Sequence, residues 1–315
     1  MLSPIILFVY NRPDHTKKTL DALAKNELAK NSILYVFCDG AKPNSSQNQL
    51  EKINETREII RLEKQKIEER KGNFKEIISI EQTQNVGLAD SILSGVTQIL
   101  KKHGKIIVLE DDIVTSKGFL KFMNESLEIY EHEEKVMHIS GYMFPAALEN
   151  AIPNNEQTFF YRSPSCWGWA TWQRAWQTIN TNTDFLFSEL QSKKLLNEFD
   201  LDNSYQFSKQ LELNISGKIK TWAVKWYASV FLQNGLCLHP KHSLVQNIGT
   251  DSTGNTSPTT DHFWHKTVAD YVEVNPIQTT ENEKVVEQMK IYYRQFKLSL
   301  PQKIRNRFRL FIGIK

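Results

Sequence analysis

Cysteine is scarce: 315 residues hold three, Cys38, Cys166 and Cys237, an odd number set far apart with no CxxC pair. That pattern excludes a disulfide framework and a structural zinc site, and fits a reducing cytosol. No run approaches the roughly 18 apolar residues that span a bilayer, so any membrane contact is expected to be peripheral. The one strongly apolar stretch near the N-terminus, Pro4 to Tyr10, lacks the basic leader, the length and the small-residue cleavage site of a signal peptide. It reads as a buried strand. An excess of one charge is missing as well: 39 Lys and Arg against 36 Asp and Glu give +3, too little and too scattered for a nucleic-acid groove.

What is present is enough apolar sequence for a full core, at 40% apolar and 24% charged residues. Short β-branched runs alternate with longer amphipathic segments, the pattern of a parallel sheet covered by helices. The runs predict strands at Ile5 to Tyr10, Ile33 to Phe37, Ile77 to Ile80, Ile106 to Leu109 and Val136 to Ile139. Helices are predicted at Asp14 to Lys25, Gln47 to Glu69, Leu88 to Lys102 and Lys117 to Glu131. In the third, Leu88, Ile92, Val96 and Ile99 share one face and should lie on the sheet. From about Asn150 the composition turns aromatic and Asn/Ser/Thr-rich, with six of the seven tryptophans between Trp167 and Trp226. The expected divisions are 1–145, 146–275 and a helical, basic tail over 276–315.

The sharpest chemical signal is Glu110-Asp111-Asp112, three carboxylates directly after an apolar strand. Ligands of open α/β folds bind at such strand ends. Packed acids repel one another and need a compensating cation, and oxygen-only ligands favour Mg²⁺ or Mn²⁺. A solvated turn ahead of the next helix is the plainer alternative. Three more strand or helix ends carry polar residues in the same order. Tyr10-Asn11-Arg12-Pro13 offers Arg12 to a phosphate, Asp39-Gly40 offers a carboxylate to ribose hydroxyls, and Asn85-Val86-Gly87 opens an amphipathic helix at its anion-binding end.

Taken together, PIILFVYNRP, Cys38-Asp39-Gly40, Asn85 to Ala89 and Leu109-Glu110-Asp111-Asp112 resemble nucleotide-sugar-dependent glycosyltransferases of the GT-A fold. The EDD form of the metal motif is similar to the N-acetylglucosaminyltransferase I-like branch and to related bacterial family 2-like transferases. The resemblance implies a Rossmann-like sheet flanked by helices, with an aromatic-rich acceptor half. It implies that Tyr10, Asn11, Arg12, Asp39, Asn85 and Gly87 hold the donor. Asp112 would be the direct metal ligand, with Glu110 and Asp111 on the sugar, the ribose or metal-bound water and Asp111 counted as catalytic. The implied cofactor is Mn²⁺ or Mg²⁺ and the implied donor a UDP-sugar, transferred with inversion.

In the second half, Trp167, Trp169 and Trp172 cannot share one helical face, so at least one should reach a cleft; Trp167, Trp169 and Trp222 are the candidate acceptor-stacking rings, the core being their ordinary fate. A base for the acceptor hydroxyl is sought among Asp184, Glu189, Asp200, Asp202 and Glu212, with Glu212 preferred. Asn247 to Gly254 resembles a late loop of bacterial relatives, but Thr256 stands where a histidine would be, leaving His262 or His265 to serve the metal. Asp251 reads as a turn former. In residues 300–315 there are five basic side chains, and Leu300, Ile304, Phe308 and Phe311 fall at helical spacing. Such a tail suits an anionic inner membrane face or the protein body equally. The expectation is a cytoplasmic, metal-dependent glycosyltransferase of polysaccharide biosynthesis acting on a glycan or lipid-linked glycan. The rival is a non-catalytic sugar- or partner-binding protein.

Overall fold

Strand β1 (Ile5–Val9) is buried at every position, as an unbroken apolar run requires when both sheet faces are covered. It pairs in parallel with β2 (Ile33–Cys38) on one side and β4 (Lys105–Glu110) on the other, and β2 pairs in parallel with β3 (Glu76–Glu81). Beyond β4 the sheet continues through β8 (Trp169–Trp172), β6 (Val136–Ser140), β9 (Leu236–Pro240) and β7 (Thr158–Tyr161). The eight-stranded order is β3-β2-β1-β4-β8-β6-β9-β7. Strand β8 is antiparallel to both neighbours and β7 to β9; the remaining ladders are parallel. A separate ribbon pairs β5 (Ile113–Thr115) with β10 (Val245–Asn247). This computed structural model describes residues 2–144, 151–153, 156–249, 251 and 267–295.

Helices α1 (Pro13–Leu23), α2 (Gln47–Glu68), α3 (Leu88–His103) and α4 (Phe119–Ile129) lie within two residues of the predicted spans. Each begins or ends for a local reason. Pro13 stands in the first turn of α1. Ser46 and Gln49 form a reciprocal capping box on α2. Gly104 closes α3 in the left-handed region, after Lys101, Lys102 and His103 in its last turn. The second half adds α5 (Gln173–Trp176), α6 (Thr183–Ser192), α7 (Leu196–Phe199), α8 (Phe207–Ile215), α9 (Ala223–Leu232) and α10 (Glu283–Gln295).

The strand alternation sorts the core into two layers. Ile5, Leu7, Val9, Ile107, Leu109, Ala170 and Trp172 face α1, α2 and α4. Ile6, Phe8, Ile106, Val108 and Trp169 face α3, α5 and the tryptophans Trp176, Trp222 and Trp226. A tryptophan buries about 200 Å², and truncating one to alanine costs about 3–5 kcal/mol, so this stack is a principal source of stability. The sheet is continuous across the expected boundary near residue 145, because β8 inserts between β4 and β6. Helix α10 packs Val285, Met289, Tyr292 and Tyr293 against Phe159 and Tyr161 of β7. Residues 300–315, together with His262 and His265, lie outside the described residues. Among the described residues no helix is long and apolar enough to cross a membrane.

Candidate functional site

Strand β1 has β2 on one side and β4 on the other, so the chain's winding direction reverses between β1 and β4. Ligands of open α/β sheets bind outside the carboxyl ends of the strands at such a reversal. Phe8 is in register with Glu110, which brings the turn after β1, Tyr10 to Arg12, beside the turn after β4, Asp111 and Asp112. Arg12 Nη1 donates to Asp112 Oδ2 at 2.9 Å and lies 3.7 Å from Asp111 Oδ1. The Thr19 hydroxyl of α1 donates to the Asp111 carbonyl at 2.8 Å and fixes the acidic turn. The Tyr10 hydroxyl is buried with no partner among the described residues.

The three acids are crowded more than one guanidinium can relieve. Burial, then the charge of Asp112, pushes Asp111 up to about 7, against the opposing pull of Arg12 and the Tyr10 backbone N–H. Burial, then the charges of Asp112 and Asp111, pushes Glu110 well up. The deficit is of positive charge.

Asp39 organises the adjoining strand end. Its Oδ1 accepts from the backbone N–H of Gly40 at 2.8 Å and of Val86 at 2.9 Å. Its Oδ2 accepts from Asn85 Nδ2 at 2.8 Å and Gly87 N at 3.0 Å. Gly87 caps α3 at φ +80°, a left-handed conformation that suits glycine. The carboxylate expected to meet a ribose thus accepts from four protein donors, and the Asn85 amide that donates to it also donates to the Gly40 carbonyl. Their effect is to aim the N-terminus of α3 into the cleft.

That cleft has a volume of about 320 Å³. Gly87 to Asp90 form one wall, Glu110 and Asp112 the floor, and Trp167, Asn247 and the 220–223 segment the other wall. Lys220 pairs with Asp90 across it. Of the predicted donor residues it collects Gly87 and Glu110, and of the metal residues Asp112; Asp111 instead turns to Arg12 and Tyr10.

The second half of the chain departs from what its sequence predicts. Trp169 is wholly buried, stacked on His138 at 5.3 Å and on Trp222 at 5.2 Å, so it is core and not an acceptor platform. In β8 the Trp169 and Trp172 spacing of three puts them on opposite sheet faces, a period the helical reading missed. Trp222 lines the cleft but is only 4% exposed, packed on Trp169 and Trp176. Trp167 does line it. Glu212 is exposed on α8, paired with Lys209, and does not line the cleft, because the inner face of α8 is given to Leu211. Glu189 pairs with Lys193, Asp202 with Lys290, and Asp200 accepts from Ser208; none of these, nor Asp184, lines the cleft.

Sequence reasoning passed over the link between the late loop and the acidic turn. The β5–β10 ribbon sets Asn247 opposite Ile113, and Ile248 N donates to the Asp112 carbonyl at 2.9 Å. Asp251, read as a turn former, lies 3.6 Å from Arg12 Nη2 and 3.2 Å from His15 Nε2. His15, in the first turn of α1, carried no sequence signal beyond following Pro13.

Among the described residues no group of three or more His, Cys, Asp or Glu side chains is arranged as a metal cage. The donor set nonetheless fits a hard divalent cation, which takes one or two carboxylates and completes its shell with phosphate oxygens and water. A Cβ on Gly249 would collide with Asp112 Oδ2, so this glycine keeps the space beside that carboxylate open.

No family model and no curated protein sequence matches the chain. Among solved structures it is similar to S. aureus TarS, at 17% identity over 44% of this chain and 21% of that one, with a TM-score of 0.29. It is similar to the mannosyltransferase PcManGT from Pyrobaculum calidifontis in complex with GDP-Man and Mn²⁺, at 10% identity over 73% and 69% of the two chains, TM-score 0.38. The galactosyltransferase LgtC, in complex with donor and acceptor sugar analogs, aligns at 7% identity over 73% and 70%, TM-score 0.34. The chain spans about a fifth of the length of the first of these. With every one of these TM-scores below 0.5, function has to be argued from the chain's own site.

Proposed function

We propose that this chain is a glycosyltransferase that moves a sugar from a nucleoside-diphosphate donor to a glycan hydroxyl. The observation that carries the reading is the meeting, at the β1/β4 reversal, of Arg12 with Asp111 and Asp112, and of Asp112 and Glu110 with the N-terminus of α3 in one cleft. A diphosphate needs positive charge and N–H donors; the acids need a cation that the diphosphate would share.

Asp112, with Glu110 beside it, would hold Mn²⁺ or Mg²⁺, whose charge would assist departure of the diphosphate. Arg12, bonded to Asp112, would steady the carboxylate that holds the cation, and Leu88, Ala89 and Asp90 set the first turn of α3 against the cleft, where helix N–H groups favour a phosphate. The acceptor oxygen bonds to the anomeric carbon, the bond to the diphosphate oxygen breaks with its electron pair, and the acceptor proton passes to a base. Among the described residues the acids lining the cleft are Asp90, Glu110 and Asp112. Asp90 is paired with Lys220 and the other two sit at the proposed cation site, so none of these three serves as nucleophile or as base; we take the transfer as a single inverting displacement. A UDP-sugar is the first donor to test, in a cytoplasmic setting with the 300–315 tail at an anionic membrane.

Calorimetric titration of nucleoside diphosphates with Mn²⁺, with EDTA and into Asp112→Asn tests the reading. Metal-dependent binding of one nucleotide, about tenfold or more weaker in Asp112→Asn, is the expected result. Absence of binding to every nucleotide with metal present overturns it. The Arg12–Asp112 contact favours a second reading, in which Arg12 and protons retained on the raised Glu110 and Asp111 offset the charge and the site binds without transferring. Undiminished binding in EDTA with no turnover would select that one.

A further inference from the structure

Cys166, Trp167 and Ala223 each wall two cavities: the cleft at the strand ends and a second chamber of about 200 Å³. The chamber is aromatic, lined by Tyr142, Phe144, Tyr205, Phe207, Tyr227 and Tyr293 as well as Trp167. Its charge differs sharply from that of its neighbour. The cleft carries Asp90, Glu110, Asp112 and Lys220, whereas the chamber has no Asp, Glu, Lys or Arg among its described lining residues. Its one titratable nitrogen base, His239, turns its ring to the carbonyls of Ser163 at 3.1 Å and Tyr142 at 3.4 Å. Burial holds that imidazole down to about 4, so it is neutral in the cell.

The mouth combines faces and hydroxyls. Tyr205 is 37% exposed, its ring 4.5 Å from Phe207 and 4.7 Å from Tyr293. The Gln210 amide reaches its hydroxyl at 3.5 Å. Ring faces suit the apolar C–H face of a pyranose, and amide and phenol groups suit its hydroxyls. A carboxylate, sulfate or phosphate brought in here would be stripped of water with no cation among the described lining residues to receive it, which is strongly unfavourable.

We infer that this uncharged aromatic chamber is the acceptor subsite and that the sugar residue it takes is neutral, a hexose or N-acetylhexosamine carrying no acidic group. The inference rests on the glycosyltransferase reading and narrows it: the negative charge of the substrates is confined to the donor side of the Trp167 wall, and acceptor chains are admitted by ring stacking.

Saturation-transfer NMR with methyl β-glucoside, methyl β-galactoside and methyl β-N-acetylglucosaminide, against methyl β-glucuronide, tests it on the full chain. At least one neutral glycoside should bind, with the glucuronide about tenfold or more weaker. Tyr205→Ala should weaken the neutral ligand about fivefold, the loss of one stacking face. Gln210→Arg should bring glucuronide binding up, since it supplies the missing cation. Nucleotide titration of the same variants reports whether the donor cleft is intact. Glucuronide binding as tight as the neutral sugars, or neutral binding unmoved by Tyr205→Ala, overturns the inference, as does failure of every neutral glycoside to bind. Nucleotide binding in the face of that failure leaves the donor reading standing; sugar binding without any nucleotide binding retains the chamber as a neutral-sugar site and removes the transferase reading.

Discussion

Arg12 and Asp112, a hundred residues apart in sequence, meet at 2.9 Å because β1 and β4 are adjacent parallel strands ending at the same level. The pair is only about 15% exposed, and Arg12 also faces Asp111 and Asp251. Removing the guanidinium leaves carboxylates with little solvent to screen them. Arg12→Met should therefore destabilise the metal-free protein by about 2 kcal/mol, read by guanidinium denaturation. Mn²⁺ should restore part of that loss, since a cation at the acids replaces the missing charge. Equal loss with and without metal would mean that the acids take no cation.

Gly249 stands against Asp112 where any side chain would meet the carboxylate. Gly249→Ala has to displace either the loop or the acid, and displacing a coordinating group costs about 10–100-fold in metal affinity. The expected outcome is a metal-dependent nucleotide affinity reduced by about tenfold or more, with a melting temperature near that of the wild type. An unchanged affinity would place the cation away from Asp112.

Asp39 separates two roles that sequence could not. Its two oxygens accept four hydrogen bonds from Gly40, Asn85, Val86 and Gly87, and an amide in its place would point its own donors at two of them. Asp39→Asn should cost about 2 kcal/mol of stability and weaken nucleotide binding only as a consequence of a displaced α3. A variant that melts like the wild type yet loses nucleotide binding would return Asp39 to direct contact with the ribose.

The first half was legible because its signals are local. Ile5 to Val9 and Ile106 to Leu109 are unbroken apolar runs, and Leu88, Ile92, Val96 and Ile99 keep a helical period. Polar residues at strand ends had a place to go once the strands were parallel, so Arg12 met Asp112, and Gly87, Glu110 and Asp112 came to line one cleft. The second half was opaque because its pairings are not local. Nothing around Trp169 announces that it will lie between β4 and β6, and a tryptophan reads the same whether it stacks on a sugar or, as here, on His138 and Trp222. A carboxylate's partner is equally invisible: Asp39 looked like a ligand-binding acid, and only the fold of the 85–87 turn reveals its four protein donors.

His138 and His239 set an acid limit on the fold. Trp226 Nε1 donates to His138 Nδ1 at 3.2 Å, and His138 Nε2 faces the Ser165 carbonyl at 3.0 Å, an arrangement that needs a neutral ring with its proton on Nε2. Burial, then the charge of His239, holds His138 down to about 3, and burial holds His239 down to about 4. The other titratable groups around them, Tyr142, Tyr161 and Cys237, are pushed up by burial and stay uncharged. Below the ordinary histidine value of 6.5 the unfolded chain therefore binds protons that the folded one refuses, and stability falls as pH falls, by about 1.4 kcal/mol per unit for each ring. Between pH 6.5 and 5 the two together should remove on the order of 3 kcal/mol, followed by the guanidinium midpoint. His138→Gln keeps one donor and one acceptor but has no proton site, so it should remove about half of that slope. A slope unaltered in His138→Gln would assign the acid sensitivity of the fold to its carboxylates instead.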